Sequence, residues 1–272
     1  FYSGGIDSTL LLVSLLKNAD PKQKENLTVL LSEESIRENP LFYQDHIRGK
    51  LRVDSMNSFP YLLGTDRMFV GGEHNDQLFG SDMMGKLIVR FGTPVIQQAY
   101  SRDVFETFFS EILNEKEGAF FYVELFERLK EASPIEIRTN QDYLWWINFS
   151  LKWQTVFMRM ICRVTPRNAN HIDLSYISTH YNQFYNTEDF QLWSMNNPDK
   201  KIKDRWNTYK WVCKDIIFDY TKDADYRDNK VKRGSLHSVF LQQTTYNFID
   251  ESMKFYYDVN VNEYYDAAND FS

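Results

Sequence analysis

The chain has 272 residues, 43% hydrophobic and 16% aromatic, which is ample for a large buried core in one domain or two closely packed halves. Its formal net charge of −7 argues against a broad nucleic-acid surface, which would be basic. No apolar run is long enough to span a membrane, no signal peptide is evident, and Cys162 and Cys213 form no CxxC pair, so the expected setting is the cytoplasm, without a zinc site.

In chain order, Phe1-Tyr2 reads as the end of a strand and Ser3-Gly4-Gly5-Ile6-Asp7-Ser8 as a glycine-rich loop. Thr9 to Leu16 follows as a buried helix, stopped by Asn18-Ala19-Asp20-Pro21. The chain opens on Phe and reaches the loop by position 3, so it is expected to begin inside its first strand, truncated at the N-terminus. Leu27 to Leu31 has the character of a buried parallel strand, and Ser32-Glu33-Glu34-Ser35 starts a loop at its carboxyl end. A helix is expected from Asn39-Pro40 to Arg48, a third strand at Leu51-Arg52-Val53 and a short helix from Ser58 to Leu63. Met68-Phe69-Val70 reads as a further strand running into Gly71-Gly72.

Alternating strands and helices imply a parallel sheet with right-handed crossovers, and ligands bind such sheets at the carboxyl ends of the strands. Ser3–Ser8, Leu31–Glu34 and Gly71–Gly80 are therefore expected to meet. From Thr93-Pro94 to about Val164 the pattern is helical, punctuated by Gly118 and Ser133-Pro134. Its apolar stripes are Val104, Phe105, Phe108, Phe109, Ile112 and Leu113, then Phe120, Phe121, Val123, Leu125, Phe126 and Leu129, then Leu144, Ile147, Leu151, Phe157 and Ile161. Helices are also expected over Asp189–Asn197 and Trp206–Tyr220, the latter with Trp211, Val212, Ile216 and Phe218 inward. The tyrosine pairs Tyr256-Tyr257 and Tyr264-Tyr265 suit packing or a terminal hairpin. The organisation expected is a single domain, with an α/β part over 1–92 and a mainly helical part over 93–272 that returns to the site.

The first loop has the chemistry of a phosphate cradle. Gly4 and Gly5 admit an anion close to the backbone, the following helix points N–H groups at it, and Ser3 and Ser8 add hydroxyls. Asp7 would repel phosphate unless it holds a bridging divalent cation. An ordinary Ser-Gly-Gly turn capping a helix is the competing account. Asp76, at a strand end opposite, could share one or two Mg²⁺ ions with Asp7. His171 and His180 lack partners for a metal set and read as surface or hydrogen-bonded histidines. Two basic stretches, Lys200–Arg205 and Arg227–Ser235, read either as solvated surface or as cations aimed at a phosphate.

The hexapeptide SGGIDS resembles the SGGxDS pyrophosphate loop of N-type ATP pyrophosphatases. The segment Gly72-Glu73-His74-Asn75-Asp76-Gln77-Leu78-Phe79-Gly80 resembles the GEGxDE(L/V)FGG signature of asparagine synthetases within that superfamily. His74 stands where the family has Gly, and Gln77 where it has a second acid. The interval between Asp7 and Asp76 is shorter than the family's, which puts aspartate as substrate in doubt. Thr208-Tyr209-Lys210 and Lys232-Arg233-Gly234-Ser235 resemble the family's later lysine segments, with Ser235 replacing an aromatic and Arg227 or Lys230 as substitutes should the register shift.

The resemblance implies a helix-rich α/β fold of the adenine nucleotide alpha hydrolase-like type, with ATP and Mg²⁺ as cofactors. It implies adenylylation of a carboxylate followed by amide, lactam or peptide bond formation. Ser3, Gly4, Gly5, Asp7, Ser8 and Gly72 would bind pyrophosphate, Leu30 and Leu31 would offer backbone groups to adenine, and Asp7 and Asp76 would hold the metal. Glu73 would place or deprotonate the amine, and Lys210 and Lys232 would stabilise the reacting phosphorus. The partners implied are a small-molecule or peptide carboxylate and an amine donor, with any glutaminase separate or upstream. The alternatives are a nucleobase- or tRNA-modifying ATP pyrophosphatase, which should show a basic surface and often paired cysteines, and a non-catalytic nucleotide-binding subunit.

Overall fold

The computed structural model describes residues 1–80, 83–168 and 174–232, together with two short strands at 248–249 and 255–256. It is helix-rich with small parallel sheets. Helix α1 (Ile6–Asn18) buries Leu10, Leu11, Leu12, Val13 and Leu16, and Ala19 leaves it in an extended conformation. The charged stretch that follows is a helix, α2 (Pro21–Asn26), because Asp20 and Gln23 close a reciprocal capping box in front of Pro21.

Strand β1 (Thr28–Leu31) forms where expected. The residues after it, read from sequence as a loop, are helix α3 (Glu33–Glu38), capped by Ser32 and Ser35. The helix expected over 39–48 splits into α4 (Pro40–Phe42) and a wider turn over Tyr43–Ile47, ending before Gly49 at φ 69°. Strand β2 (Arg52–Ser55), α5 (Phe59–Leu62) and β3 (Phe69–Gly71) follow.

Strands β1 and β2 pair in parallel, Val29 beside Val53. Strand β3 pairs in parallel with β4 (Tyr181–Gln183), a strand from the helical part that the sequence reading did not contain. Tyr2 N–H donates to the Leu30 carbonyl at 2.8 Å, and the Phe1 amino group donates to the Val70 carbonyl at 2.8 Å. Residues 1–2 therefore lie between the two pairs, and the spatial order is β2, β1, residues 1–2, β3, β4. The direction of lateral travel reverses between residues 1–2 and β3, the switch point at which such sheets bind ligands.

The later helices are α6 (Asn75–Phe79), α7 (Met83–Phe91), α8 (Arg102–Leu113), α9 (Lys116–Glu131), α10 (Asn140–Asn168), α11 (Leu174–His180), α12 (Glu188–Asn196), α13 (Trp211–Thr221) and α14 (Ala224–Asn229). Thr93-Pro94 opens only a 3₁₀ turn to Gln97, behind Gly92 at φ 86°. The break in the helical layer falls at Asn114, in the left-handed region at φ 52°, while Gly118 lies inside α9.

The apolar stripes are only partly inward. Phe105, Phe108 and Phe109 are buried, but Ile112 and Leu113 are exposed. In α9 the inward face is Ala119 and Val123, leaving Phe120, Phe121 and Leu125 in solvent. In α10, Leu144 and Ile147 are buried and Leu151 is exposed; the side chains of Phe157 and Ile161 lie outside the described residues. In α13 the buried positions are Cys213, Lys214 and Ile217, whereas Ile216 is exposed. One apolar cluster unites α1, α7, α8, α10 and α13 on one side of the sheet, and a smaller one gathers Leu30, Phe69, Ile177 and Tyr181 on the other. Of the terminal segment, Phe248–Ile249 pairs antiparallel with Phe255–Tyr256, consistent with a hairpin there; Tyr257, Tyr264, Tyr265, Ser235 and His171 lie outside the described residues.

Candidate functional site

The loop after Tyr2 is shaped by close packing. Gly4 has φ 74°, and a Cβ there would stand 2.3 Å from the Ser35 carbonyl oxygen and 2.8 Å from Glu38 Cβ. Only glycine meets both demands. Gly5 is the N-cap of α1 and supplies no side-chain cap, so the positive end of the helix is not satisfied by its own cap residue. Ser3 N–H donates to Ser8 Oγ at 3.1 Å, and Ser8 Oγ donates to the Gly5 carbonyl at 3.2 Å. Ser8, expected as a donor to phosphate, thus spends its proton inside the loop; Ser3 is exposed, and its hydroxyl lies 3.0 Å from Ser8 Oγ in the same loop.

Gly72 packs directly against this turn, since a Cβ on it would lie 3.4 Å from Asp7 C and from Ser8 N. The loop after β3 and the loop after residue 2 therefore share one end of the sheet. Within the β3 loop, Glu73 is half-buried and His74 has φ 72°. Glycine adopts this left-handed conformation freely, whereas a histidine side chain makes it costly. His74 offsets the cost through burial, a ring contact with Trp153 at 4.7 Å and a hydrogen bond between Nε2 and the Trp153 carbonyl at 3.1 Å. Asp76 and Gln77 then fall on α6, with Gln77 buried.

Four charges converge in front of these loops. Lys210 Nζ lies 2.5 Å from Asp7 Oδ1 and 2.6 Å from Asp76 Oδ1. Lys232 Nζ lies 3.2 Å from Asp7 Oδ2 and 3.0 Å from Asp76 Oδ1. Burial pushes the Asp76 carboxyl up, but the Lys210 and Lys232 ammoniums outweigh it and hold the group well below the usual carboxylate range. Lys210 is fully buried at φ 59°, immediately before α13 rather than inside a helix starting at Trp206. Its N–H donates to the Lys201 carbonyl at 2.8 Å, which ties the first basic stretch to the site.

The other candidates separate. Lys230 pairs with Glu38, whose Cβ packs on Gly4, so it braces the loop from behind. Arg227 pairs with Asp228 at 2.7 Å, away from the four charges. Leu30 and Leu31 are buried at the end of β1, but the Leu30 carbonyl accepts from Tyr2 N–H. Cys213 is buried as expected, its thiol pushed up to about 12 mainly by desolvation. His180 stacks on Tyr176 and bonds within its own helix, in keeping with a structural role.

Several residues at the site escaped the sequence reading. Asn75 Nδ2 donates to Asp7 Oδ1 at 2.6 Å, and Tyr185 OH donates to the Asp7 carbonyl at 2.8 Å. Asn148 Nδ2 reaches the carbonyls of Asp76 at 3.1 Å and Gly80 at 3.0 Å, and Tyr209 OH reaches Gly80 at 3.2 Å. Asn75 stood in plain view inside the motif. Tyr209 stood beside Lys210 in the quoted segment, whereas Tyr185 and Asn148 reach the site only through tertiary packing.

The donor set suits Mg²⁺. Two carboxylates point at one cation position, now held by an ammonium, and Mg²⁺ is usually held by one or two carboxylates with phosphate oxygens and water completing its shell. Among the described residues no cluster of three or more His, Cys, Asp or Glu offers an all-protein cage. Comparison with protein-family models, curated proteins and solved structures found no match to this chain.

Proposed function

We propose that this chain is an ATP-dependent, AMP-forming amide ligase of the asparagine-synthetase type, built on an adenine nucleotide alpha hydrolase-like sheet. The observation that carries the reading is the convergence of Asp7, Asp76, Lys210 and Lys232 beside the uncapped amino end of α1. The four come from distant parts of the chain, and each was a candidate from motif chemistry alone. The strand order and its reversal beside Gly72 support the sheet type.

In this reading Gly4, Gly5 and the first turn of α1 cradle the β- and γ-phosphates, with the exposed Ser3 at the edge of the cradle. Asp7 and Asp76 hold Mg²⁺, which supplies charge neutralisation for the pyrophosphate leaving group. Lys210 and Lys232 turn to the phosphate oxygens, where charge builds as a carboxylate oxygen attacks the α-phosphorus. The bond from the α-phosphorus to the bridging oxygen breaks, pyrophosphate leaves, and an acyl-adenylate remains. An amine then attacks the acyl carbon and AMP leaves with the carboxylate oxygen. Glu73, half-buried in the same loop, places the amine and takes its proton. The acyl donor is a small-molecule or peptide carboxylate. The nitrogen is ammonia, an amine of the same molecule or a peptide amine, with any glutaminase on a separate chain or upstream.

ATP–pyrophosphate exchange across a panel of carboxylates tests this. One carboxylate should stimulate exchange, and Asp7→Ala should abolish it. ATP binding with no exchange for any substrate would replace the ligase with a nucleotide-binding role, the reading to which Gln77 in place of an acid also points.

A further inference from the structure

Strand β4 ends on a side chain that the fold leaves unspent. Gln183 is 3% exposed, and neither its Oε1 nor its Nε2 has a hydrogen-bond partner among the described residues. Buried polar groups are ordinarily paired, so an amide with both atoms idle needs an explanation. Its place in the fold supplies one. Gln183 pairs with Gly71 at the carboxyl ends of β4 and β3, the end of the sheet that carries the phosphate loop. The residues after it are tied to the same end. Phe184 N–H donates to the Gly71 carbonyl at 3.0 Å, and Tyr185 OH donates to the Asp7 carbonyl at 2.8 Å. Trp153 adds a third tie, its indole N–H donating to Asn186 Oδ1 at 3.0 Å and its carbonyl meeting His74 Nε2 at 3.1 Å. Gly71 makes room for the amide, since a Cβ there would stand 2.7 Å from Gln183 Oε1 and 3.2 Å from Nε2. No hydrogen bond has to break for this amide to turn to a ligand.

The chemistry of the amide selects the ligand. It presents one acceptor and two donors in a plane. A carboxylate would engage only the nitrogen and leave the oxygen facing negative charge. An ammonium would engage only the oxygen. A second amide satisfies both atoms. We propose that Gln183 recognises the acyl donor, and that this donor carries a neutral amide, as a peptide group or a primary carboxamide, close to the carboxylate that is adenylylated. The inference rests on the ligase reading and narrows its substrate. Strand β4 lies beside β3, whose loop carries Glu73, so the amide stands on the amine's side of the phosphate loop.

ATP–pyrophosphate exchange with matched carboxylates tests it. The probes are free amino acids, the same amino acids N-acetylated, N-acetyl dipeptides, depsipeptides in which an ester replaces the amide, and amino acids with side-chain carboxamides. Amide-bearing carboxylates should exceed the matched ester or free amine at least about tenfold in kcat/KM, the scale of one hydrogen bond. The series that carries the preference tells a peptide group from a primary carboxamide. Gln183→Met should bring the amide-to-ester ratio to about one, a selectivity that a packing role would not move, and Gln183→Leu repeats the test should the first variant fail to fold. Both variants should melt no lower than wild type, because each removes an unpaired buried amide. Clearly lower melting in both would show that the amide is already paired, and would overturn the assignment. Exchange without an amide preference, or a preference that survives both substitutions, would overturn it while leaving the ligase reading intact. No exchange with any carboxylate would remove the ligase reading and this inference together.

Discussion

Replacing Lys201 with Met should stabilise the protein by an amount that depends on pH. Lys201 is 1% exposed, its ammonium has no hydrogen-bond partner among the described residues, and it sits 3.6 Å from the Trp145 ring centroid. Burial lowers its pKa from 10.5 to about 7, against a weaker upward pull from Asp142 and Asp199. The folded value lies below the unfolded one, so the unfolded chain binds more protons between the two. Stability from this group therefore rises with pH from about 7 towards 10.5, and its full cost is present below about 7. At ~1.4 kcal/mol per pH unit, wild type would gain up to ~3 kcal/mol between pH 6 and pH 9. The cation–π contact, worth ~2 kcal/mol when desolvated, favours the charged form and trims that gain to ~1 kcal/mol at the low end. Urea unfolding of wild type and Lys201→Met at both pH values gives the difference directly. Wild type should gain ~1–3 kcal/mol relative to the variant on going from pH 6 to pH 9. Parallel pH dependences would show that Lys201 is solvated or paired, and would refute its packing against the Trp145 ring.

Other consequences follow from the same geometry. Gly4→Ala should cost at least ~2 kcal/mol, from its φ of 74° and the clash with the Ser35 carbonyl, and should abolish pyrophosphate binding; a variant with wild-type melting and binding would disprove the loop. At position 74, Gly should be more stable than Ala by ~1 kcal/mol in urea midpoints, because both lose the ring but only Gly is relaxed at φ 72°. Glu73→Gln should keep ATP–pyrophosphate exchange while slowing amide formation by ~10²-fold or more, whereas equal loss of both would move Glu73 into the first step. Cys213 should resist alkylation at pH 8 in the folded protein and react after urea, read by mass spectrometry of its peptide, since burial pushes its thiol up to about 12.

What sequence could reveal here was chemistry carried by neighbours in the chain. The run Ser3 to Ser8 and the run Gly72 to Gly80 each hold their chemistry within nine residues or fewer, and their strands were visible as short apolar runs ending in glycine. Lys210 and Lys232 were legible only by position relative to a motif, and the structure brings both to Asp7 and Asp76. Strand β4 was not legible, because Tyr-Asn-Gln is three residues long with no apolar run and is made a strand by pairing with β3. Helix α3 falls where polar composition was read as a loop and α2 where only charge was noted, while their capping boxes satisfy the end groups. The inward faces of α9 and α13 were misassigned for a related reason. Both carry apolar residues on more than one side, so periodicity alone does not say which side the rest of the chain covers. Lys201 was the opposite error: a residue in a basic run, assigned to solvent or to phosphate, is instead packed on Trp145.

The net charge of −7 and a polyanionic ligand are compatible because the two act at different ranges. Surface carboxylates more than about 8 Å away are screened at physiological salt and steer encounter weakly. Affinity is set at contact distance, where the acidic members of the site are already matched by lysines of equal number and α1 adds its positive end. A phosphate arriving there therefore meets no uncompensated carboxylate. On the proposed reading, the overall acidity that argues against a nucleic-acid surface therefore leaves this one site able to hold a polyanionic ligand.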